Sequence, residues 1–226
     1  MRKKSELVQS LSFFSAEPKA NLSIFAESLL DLQPGVYEGG LKIWECSEDL
    51  AGWLAAGHIP LAGRRVLELG CGAGLPGLLA FKQGATVWFS DYNEDVLHHI
   101  TIPNALLNIP DQPMETRFFA GDWADLENRF LAKEIQNESH KFDLILSSET
   151  IYNVDNQTKL ISIFRNYLKT EGVALVAAKS HYFGVGGGVQ QFSERVERAG
   201  LGLQRLWRTE EGLKREILSV KLLPSK

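Results

Sequence analysis

Apolar and polar positions along this chain follow two different periods. Short apolar runs, typical of buried strands, alternate with longer stretches whose apolar residues recur every three or four positions, as on one helix face. The runs predict strands at residues 65–69, 85–90, 116–120, 142–147 and 173–179. The longer stretches predict helices at residues 21–30, 44–56, 75–83, 94–107, 123–136, 157–168 and 190–199. Pro103 is expected to kink or split the fourth helix.

The end of the chain has a different pattern. Residues 203–208 and 215–222 read as two strands, and residues 209–212 between them read as the turn of a hairpin. Strands that alternate with helices predict a parallel sheet with right-handed crossovers, to which the hairpin adds antiparallel strands. The predicted fold is therefore α/β, a doubly wound, mostly parallel seven-strand sheet of the class I methyltransferase type, with a C-terminal antiparallel hairpin. A dinucleotide-binding fold normally lacks that ending.

Composition restricts the class of protein further. The chain has 226 residues, of which 44% are hydrophobic and 23% charged, as in an ordinary globular domain. A disordered chain, a collagen and a disulfide scaffold are excluded, and no apolar run approaches the ~18 residues of a membrane span. Residues 1–14 are too polar for a secretory signal. We expect an N-terminal helical segment at residues 1–35, packing on or leading into a core domain at residues 36–226.

Charge and cysteines add two expectations. The net charge is −4, and residues 68–193 carry 15 acidic against 9 basic side chains. An acidic centre disfavours a nucleic-acid groove and suits a cationic ligand, although ordinary solvated charge explains it as well. Cys46 and Cys71 form no Cys-x-x-Cys pair, which excludes a zinc ribbon and fits a reducing compartment. No metal site is predicted.

The sharpest motif joins the first predicted strand to its helix. Gly70, Gly72, Gly74 and Gly77 form a glycine-rich turn in which the backbone can approach a ligand closely. The last three match the dinucleotide fingerprint G-x-G-x-x-G, but that match alone is weak. A tight strand–helix turn that binds no ligand is the alternative.

Two carboxylates favour one ligand over another. Glu68, two residues before Gly70, would place an anion where a dinucleotide needs its pyrophosphate. It suits instead a ligand with an ammonium and a sulfonium, such as S-adenosylmethionine. Asp91 follows the second strand, where a carboxylate accepts from ribose hydroxyls; a helix cap, shared with Asn93, is the alternative.

Later loops end at the same sheet edge. Gly121, Asp122 and Trp123 follow the third strand, where Asp122 and the Trp123 backbone are expected to bond the adenine, or else to cap a helix. Ser147 ends the fourth strand, and Glu149 follows it on the expected acceptor side, unless Glu149 is a cap or surface residue. A glycine-rich loop at residues 184–188 follows the fifth strand at the same edge, and it is expected to be mobile or to approach a neighbour closely, unless it is a plain flexible connection.

Three stretches give the chain a more specific resemblance. They are VYEGGLKIWECS at residues 36–47, SETIYN at residues 148–153 and KSHYFGVGGG at residues 179–188. Together they closely resemble the eukaryotic protein-histidine methyltransferase family. Members of that family modify the far ring nitrogen of a histidine in a large-subunit ribosomal protein. Compared with them, this chain has a short N-terminal extension and a short segment before the third strand.

The resemblance implies the rest of the expected site and its setting. The cofactor S-adenosylmethionine is expected to contact Ile43, Trp44, Glu45, Cys46, Ser47, Gly70, Asp91, Tyr92, Asn93, Gly121, Asp122, Trp123 and Ser147. The implied partner is a large-subunit ribosomal protein or a pre-ribosomal particle. The resemblance further implies a monomer that does not associate with a membrane. Its implied location is the cytoplasm and the nucleus, the nucleolus included.

Transfer to a histidine needs an acceptor for the ring proton. Glu149 is the candidate, and Asn153 is the alternative, because either side chain can hold the near ring nitrogen while the far one attacks. A lysine methyltransferase of the same fold stays open, as does a ribosome-assembly protein that binds without turnover. A nicotinamide dehydrogenase is disfavoured by Glu68 and by the terminal hairpin.

Overall fold

The structure, a computed structural model, describes residues 37–108, 115–184 and 186–224. The helix expected at residues 21–30 and most of the N-terminal segment at 1–35 lie outside these ranges. Within the described residues, no helix is both long and apolar enough to cross a membrane.

A seven-stranded sheet forms the centre of the molecule. Its strands are β1 Arg65–Leu69, β2 Thr86–Asp91, β3 Arg117–Ala120, β4 Phe142–Ser148, β5 Leu168–Lys179, β6 Leu201–Arg208 and β7 Arg215–Leu222. They lie in the order β3-β2-β1-β4-β5-β7-β6. The first five are parallel, whereas β7 pairs antiparallel with both β5 and β6. The predicted sheet and its C-terminal hairpin are confirmed.

In the part of the chain that the structure describes, six helical segments flank the sheet. They are α1 Glu45–Ala55, α2 Leu75–Lys82, α3 (Glu94–Val96, Leu97–Thr101 and Ile102–Asn108), α4 (Trp123–Asp125, Leu126–Leu131 and Ala132–Glu134), α5 Val154–Tyr167 and α6 Val189–Arg198, besides a single 3₁₀ turn at Glu138–His140. Pro103 does not split α3. The helix widens into π-helical geometry just before it, which accommodates the carbonyl that a proline ring would otherwise strike.

Alternation along the strands gives the sheet two apolar faces. Val66 packs with α1, α2 and α3 on one face, and its neighbour Leu67 packs with α4, α5 and α6 on the other. Both faces are therefore covered, as a buried parallel sheet requires. The strand order reverses between β1 and β4, and the carboxyl ends of those two strands open a crevice there.

Candidate active site

A cavity of ≈ 810 Å³ occupies this crevice. Its wall comes from four parts of the chain: the segment before and into α1, the turn after β1, the loops after β2 and β3, and the segment between β4 and α5. The predicted position at the carboxyl edge of the sheet is thus where the structure has its cavity.

The turn after β1 forms the cavity floor. Gly70 and Gly72 have φ angles of 65° and 51°, a left-handed conformation that other residues rarely adopt. A Cβ on Gly70 would lie 2.7 Å from the Thr150 methyl carbon, and one on Gly72 would lie 3.1 Å from the Gly40 carbonyl oxygen. Both positions therefore require glycine, and they leave the turn backbone facing the cavity.

Asp91 lies at the end of β2, on the cavity wall. Its Oδ2 accepts from the Gly72 backbone N–H at 2.8 Å, and its Oδ1 accepts from the Asn93 N–H at 3.1 Å. The side chain is 4% exposed, and burial raises the pKa of Asp91 to about 6 against these two bonds. No cation pairs with this carboxylate among the described residues, so it favours a ligand that donates hydrogen bonds.

Glu68 corrects one expectation. Its side chain is 1% exposed and does not line the cavity; Oε2 accepts from the Gly77 N–H at 3.0 Å, under the start of α2. Burial raises the pKa of Glu68 well above its usual value. A Cβ on Gly77 would lie 2.3 Å from that oxygen, so glycine there makes room for the carboxyl. Glu68 braces the turn and does not face a ligand.

The segment before α1 forms part of the cavity wall. The Trp44 ring N–H donates to the Gly39 carbonyl at 3.0 Å, and the Tyr37 hydroxyl accepts from the Leu41 N–H at 2.9 Å. Ile43, Trp44 and Ser47 line the cavity, as the resemblance implied, but Glu45 and Cys46 do not. Cys46 is buried on the inner side of α1, where the helix packs on the sheet. Sequence reasoning also missed lining residues from this segment: Glu38, Gly39, Gly40 and Lys42.

The loops after β2 and β3 contribute most of the residues expected of them. Tyr92 lines the cavity, whereas the Asn93 amide oxygen instead accepts from the Glu38 N–H at 3.0 Å. Gly121, Asp122 and Trp123 all line it. Asp122 also caps α4 through the Ala124 N–H at 2.8 Å and pairs with Lys159 at 2.5 Å. The capping alternative for Asp122 is therefore realised alongside its place on the wall.

The acceptor side begins where β4 ends. The Ser147 hydroxyl is buried behind the wall, where it donates to the Leu69 carbonyl at 3.0 Å and lies 2.7 Å from the Thr150 hydroxyl. Its expected contact with a cofactor is corrected, since the neighbouring Ser148 lines the cavity instead. Glu149 and Tyr152 line it as well.

Glu149 and Asn153 differ in what the structure has them do. Glu149 has a φ angle of 57°, the only positive value of a non-glycine residue in the described parts, and it faces the cavity. Asn153 is outside the wall, and its Oδ1 caps α5 by accepting from the Asp155 N–H at 3.0 Å. The alternative role of Asn153 as the acceptor is corrected by this capping bond, and Glu149 stays the candidate.

Two elements contact the segment around Glu149, of which Lys179 was not expected from the sequence. Lys179, at the end of β5, places its ammonium 3.4 Å from Glu149 Oε1. The glycine-rich loop after β5 packs against the same segment, because a Cβ on Gly187 would lie 2.2 Å from the Ile151 carbonyl oxygen. That close backbone approach, which only glycine allows, is what the cluster of glycines signalled.

Comparison with known proteins gives this site a context. A family model described as "Lysine methyltransferase" matches residues 26–194. The histidine protein methyltransferase 1 homolog of Dictyostelium discoideum is 45% identical, over 74% of this chain and 52% of its own length. The mouse homolog of the same name is 39% identical, over 95% of this chain and 65% of its own. These names confirm the resemblance to histidine methyltransferases drawn from the three stretches.

Solved structures agree on the fold. Magnesium protoporphyrin IX methyltransferase from Synechocystis, with bound S-adenosylmethionine, superposes with a TM-score of 0.59 at 14% identity and covers 98% of each chain. A putative RNA methyltransferase from Pyrococcus horikoshii gives 0.58 at 18% identity and covers all of both chains. At such identities the likeness shows the class I methyltransferase fold alone.

The chain spans about half to two thirds of the length of the curated relatives it matches. The family model, by contrast, covers well over half of this chain, from the segment before α1 into α6. Fold, cavity position and motif agree with that match. The chain therefore belongs to the methyltransferase family that this model describes.

Proposed function

We propose that this protein uses S-adenosylmethionine to methylate a histidine side chain of another protein. The observation that carries the proposal is that one cavity is lined both by a buried Asp91 beside the glycine turn and by Glu149 from the segment after β4. The names of the curated relatives support the choice of histidine as the acceptor.

The donor groups of the turn fit this cofactor better than a dinucleotide. A pyrophosphate needs free backbone N–H groups at the glycine turn and at the start of the following helix. Here the Gly72 N–H already donates to Asp91, and the Gly77 N–H donates to Glu68. These two N–H groups are therefore already used and cannot bind a pyrophosphate. Asp91 keeps further acceptor capacity, which ribose hydroxyls can use.

Other residues of the wall would hold the remaining parts of the cofactor. Trp123 and Asp122 border the space beyond β3, and Trp44 closes the cavity from the segment before α1. The Asp122 carboxylate retains acceptor capacity for an adenine amine, although it also caps α4. When bound, S-adenosylmethionine supplies an electrophilic methyl group carried by a sulfonium.

Glu149 is proposed to hold the acceptor ring. Its carboxylate accepts the N–H of the ring nitrogen near the backbone, which selects the tautomer whose far nitrogen, Nε2, has a free lone pair. Methylation leaves a positive charge on the ring, and this charge is relieved when the near nitrogen gives its proton to the carboxylate. Orientation contributes much of the rate in such a reaction, because the two reactants are held in line.

The family resemblance supplies the finer substrate. We propose a histidine of a large-subunit ribosomal protein, methylated on the far nitrogen, either in the free protein or in a pre-ribosomal particle. A cytoplasmic and nuclear location, the nucleolus included, and a monomeric enzyme belong to the same proposal. It is supported by the motifs at residues 36–47, 148–153 and 179–188.

Lysine is the second candidate acceptor, because the matching family model is described as a lysine methyltransferase. A lysine acceptor carries an ammonium with a pKa of ~10.4 and must lose a proton before it attacks. Glu149 would then have to remove that proton, a different role from holding a neutral ring.

Two measurements test the proposal. S-adenosylmethionine or S-adenosylhomocysteine at 100-fold over Kd should stabilise the fold by roughly 2.7 kcal/mol, whereas NAD should not. Stabilisation by NAD alone would overturn the choice of cofactor.

The second measurement identifies the acceptor. The protein is incubated with unmodified large ribosomal subunits and methyl-labelled S-adenosylmethionine, and the labelled peptides are sequenced by mass spectrometry. We expect label on one histidine. Label confined to lysine would support the second candidate, and binding of the cofactor without any transfer would indicate a non-catalytic assembly protein.

A further inference from the structure

Lys179 lies between two carboxylates and an aromatic ring beside the acceptor side of the cavity. Its ammonium is 3.4 Å from Glu149 Oε1, 3.3 Å from Glu45 Oε2 and 5.0 Å from the centre of the Trp44 ring. Its side chain is 14% exposed. Burial alone lowers the pKa of Lys179, but Glu149 and Glu45 outweigh it and raise the pKa above its usual value. The lysine therefore stays charged.

The two carboxylates are not equivalent partners. The Glu149 side chain is 8% exposed, whereas that of Glu45 is 56% exposed and is screened by water. The inner pair is thus Lys179 with Glu149, and together these two groups are neutral. Other polar groups around the pair are the Cys46 thiol and the Tyr182 hydroxyl, with the Asp49–Arg215 ion pair farther out.

Glu149 is held in place by its backbone and by this pair. Its left-handed φ of 57° is maintained by the N–H bond to the Ala177 carbonyl at 2.9 Å, on β5 two residues before Lys179. Among the described residues, no donor has hydrogen-bonding geometry to Glu149 Oε1, although that atom is buried. The Cys46 thiol and the Tyr182 hydroxyl also hydrogen-bond to this carboxylate, which has about four acceptor sites, so a lone pair stays free beside its ion-pair partner Lys179.

This arrangement treats two acceptors differently. A neutral imidazole can donate its N–H to the free lone pair without disturbing the ion pair. An ammonium would have to approach a carboxylate whose charge is already balanced, next to a second ammonium in a poorly solvated site. The Lys42 ammonium, on the cavity wall, also lies over the Trp44 ring, 4.6 Å from its centre, and adds positive charge.

We propose that Lys179 is a specificity-determining residue that holds Glu149 for an imidazole and excludes an ammonium; this rests on the proposed function, histidine methylation. Lys179 acts through Glu149 and is a positioning residue. The same strands supply a matched control, because Lys169 pairs with Asp143 at 2.8 Å at the opposite end of β4 and β5.

The test uses small probes of the two side chains and does not depend on turnover. 4-Methylimidazole and n-butylammonium are titrated at pH 8 by NMR into the protein saturated with S-adenosylhomocysteine. The wild type should bind the imidazole at least tenfold more tightly. Lys179→Met should reduce this ratio at least tenfold, mainly by tighter binding of n-butylammonium, whereas Lys179→Arg and Lys169→Met should retain it.

A second variant covers the case in which Lys179→Met fails to fold because Glu149 is left unpaired. The double variant K179M/E149Q removes both charges, and it should bind n-butylammonium at least tenfold more tightly than E149Q alone. An unchanged ratio in Lys179→Met, or no difference between these two variants, overturns the proposal. That result leaves histidine methylation standing, because the labelled peptides test it separately.

Discussion

The strands β4 and β5 carry an ion pair at each end, and the two pairs have different surroundings. At the amino end, Asp143 accepts from Lys169 at 2.8 Å and from the Arg65 backbone N–H at 2.9 Å. Burial alone would raise the pKa of Asp143, but these bonds lower it below its usual value. At the carboxyl end, Glu149 combines strained backbone with a buried oxygen that lacks a hydrogen bond.

The difference shows where this fold places its unsatisfied groups. At the amino end, both oxygens of the Asp143 carboxylate have donors, and these bonds hold the strands together. The carboxyl end leaves acceptor capacity on Glu149 and on Asp91, and both face the cavity. A buried acceptor without a donor destabilises the unliganded fold, so it is expected where a ligand supplies the donor.

The largest effect is expected from Glu149→Gln. The variant keeps the shape but loses the carboxylate that holds the near ring N–H and accepts its proton, so the methylation rate should fall by ~10²-fold or more. Labelled-methyl transfer measures the rate, and cofactor affinity, which should not change, is the control. Lys169→Met, at the other end of the strands, should leave the rate unchanged. A normal rate in Glu149→Ala would show that Glu149 takes no part in the reaction.

Asp91→Ala should have the next largest effect. Charge-assisted bonds are worth ~1.5–3 kcal/mol each, so losing those to the ribose should weaken cofactor binding at least tenfold. Calorimetry measures the affinity, and circular dichroism shows that the fold survives. Normal binding with a lowered melting temperature would mean that Asp91 only braces Gly72 and Asn93.

A pH effect of similar size follows from the pKa of Asp91, which is about 6. Ribose hydroxyls bind the ionised carboxylate, so below that pKa cofactor binding must first release a proton. Affinity should therefore rise about tenfold between pH 5 and pH 7. In Asp91→Asn, whose side chain cannot ionise, cofactor affinity should not change with pH over this range. A wild-type affinity that is constant between pH 5 and pH 7 would contradict the prediction.

The same group has the opposite effect on the unliganded fold. A carboxyl whose pKa is raised on folding stabilises the fold when protonated, below the unfolded value of ~3.9, and this is lost as pH rises through about 6. The full loss is about 3 kcal/mol, at 1.36 kcal/mol per pKa unit, and about 2 kcal/mol of it should fall between pH 4 and pH 7. Denaturant unfolding of wild type and Asp91→Asn at pH 4 and 7 measures it.

The smallest effect is expected at the amino end. Lys169→Met should lower the free energy of unfolding by about 1 kcal/mol or less, because the pair is partly exposed. Since the pKa of Asp143 is lowered, this contribution is present above the unfolded value of ~3.9 and disappears as pH falls through the folded value. A change in cofactor affinity in this variant would contradict the view that only the carboxyl end of β4 and β5 serves the site.

The sequence predicted the sheet better than the site. β1 and β7 have the predicted bounds, because their apolar runs end at clear turns. β5 begins earlier than predicted, at Leu168, since its first residues are polar and its pairing with β4 shifts register near Phe142. The first residues of β5 are in a strand because they extend beside β4, and no hydrophobic pattern in the sequence marks them.

At the site, the sequence could not predict where a side chain points or which distant residues come into contact. Glu68 was expected to face a ligand, but its side chain points under α2, into room that Gly77 leaves. Lys179 meets Glu45 and Glu149 only after the chain has folded, and no spacing in the sequence signals that contact. Asp91 could be predicted, because position after β2 and residue type together indicate its role.

The most direct test of the central claim uses large ribosomal subunits from cells that have or lack this protein. Tryptic peptides are compared by mass spectrometry, with fragmentation that distinguishes the two ring nitrogens of a methylated histidine. The account predicts one histidine that carries a methyl group on the far nitrogen only when the protein is present. Identical histidine methylation in both samples, with a methyl group missing from a lysine instead, would contradict it.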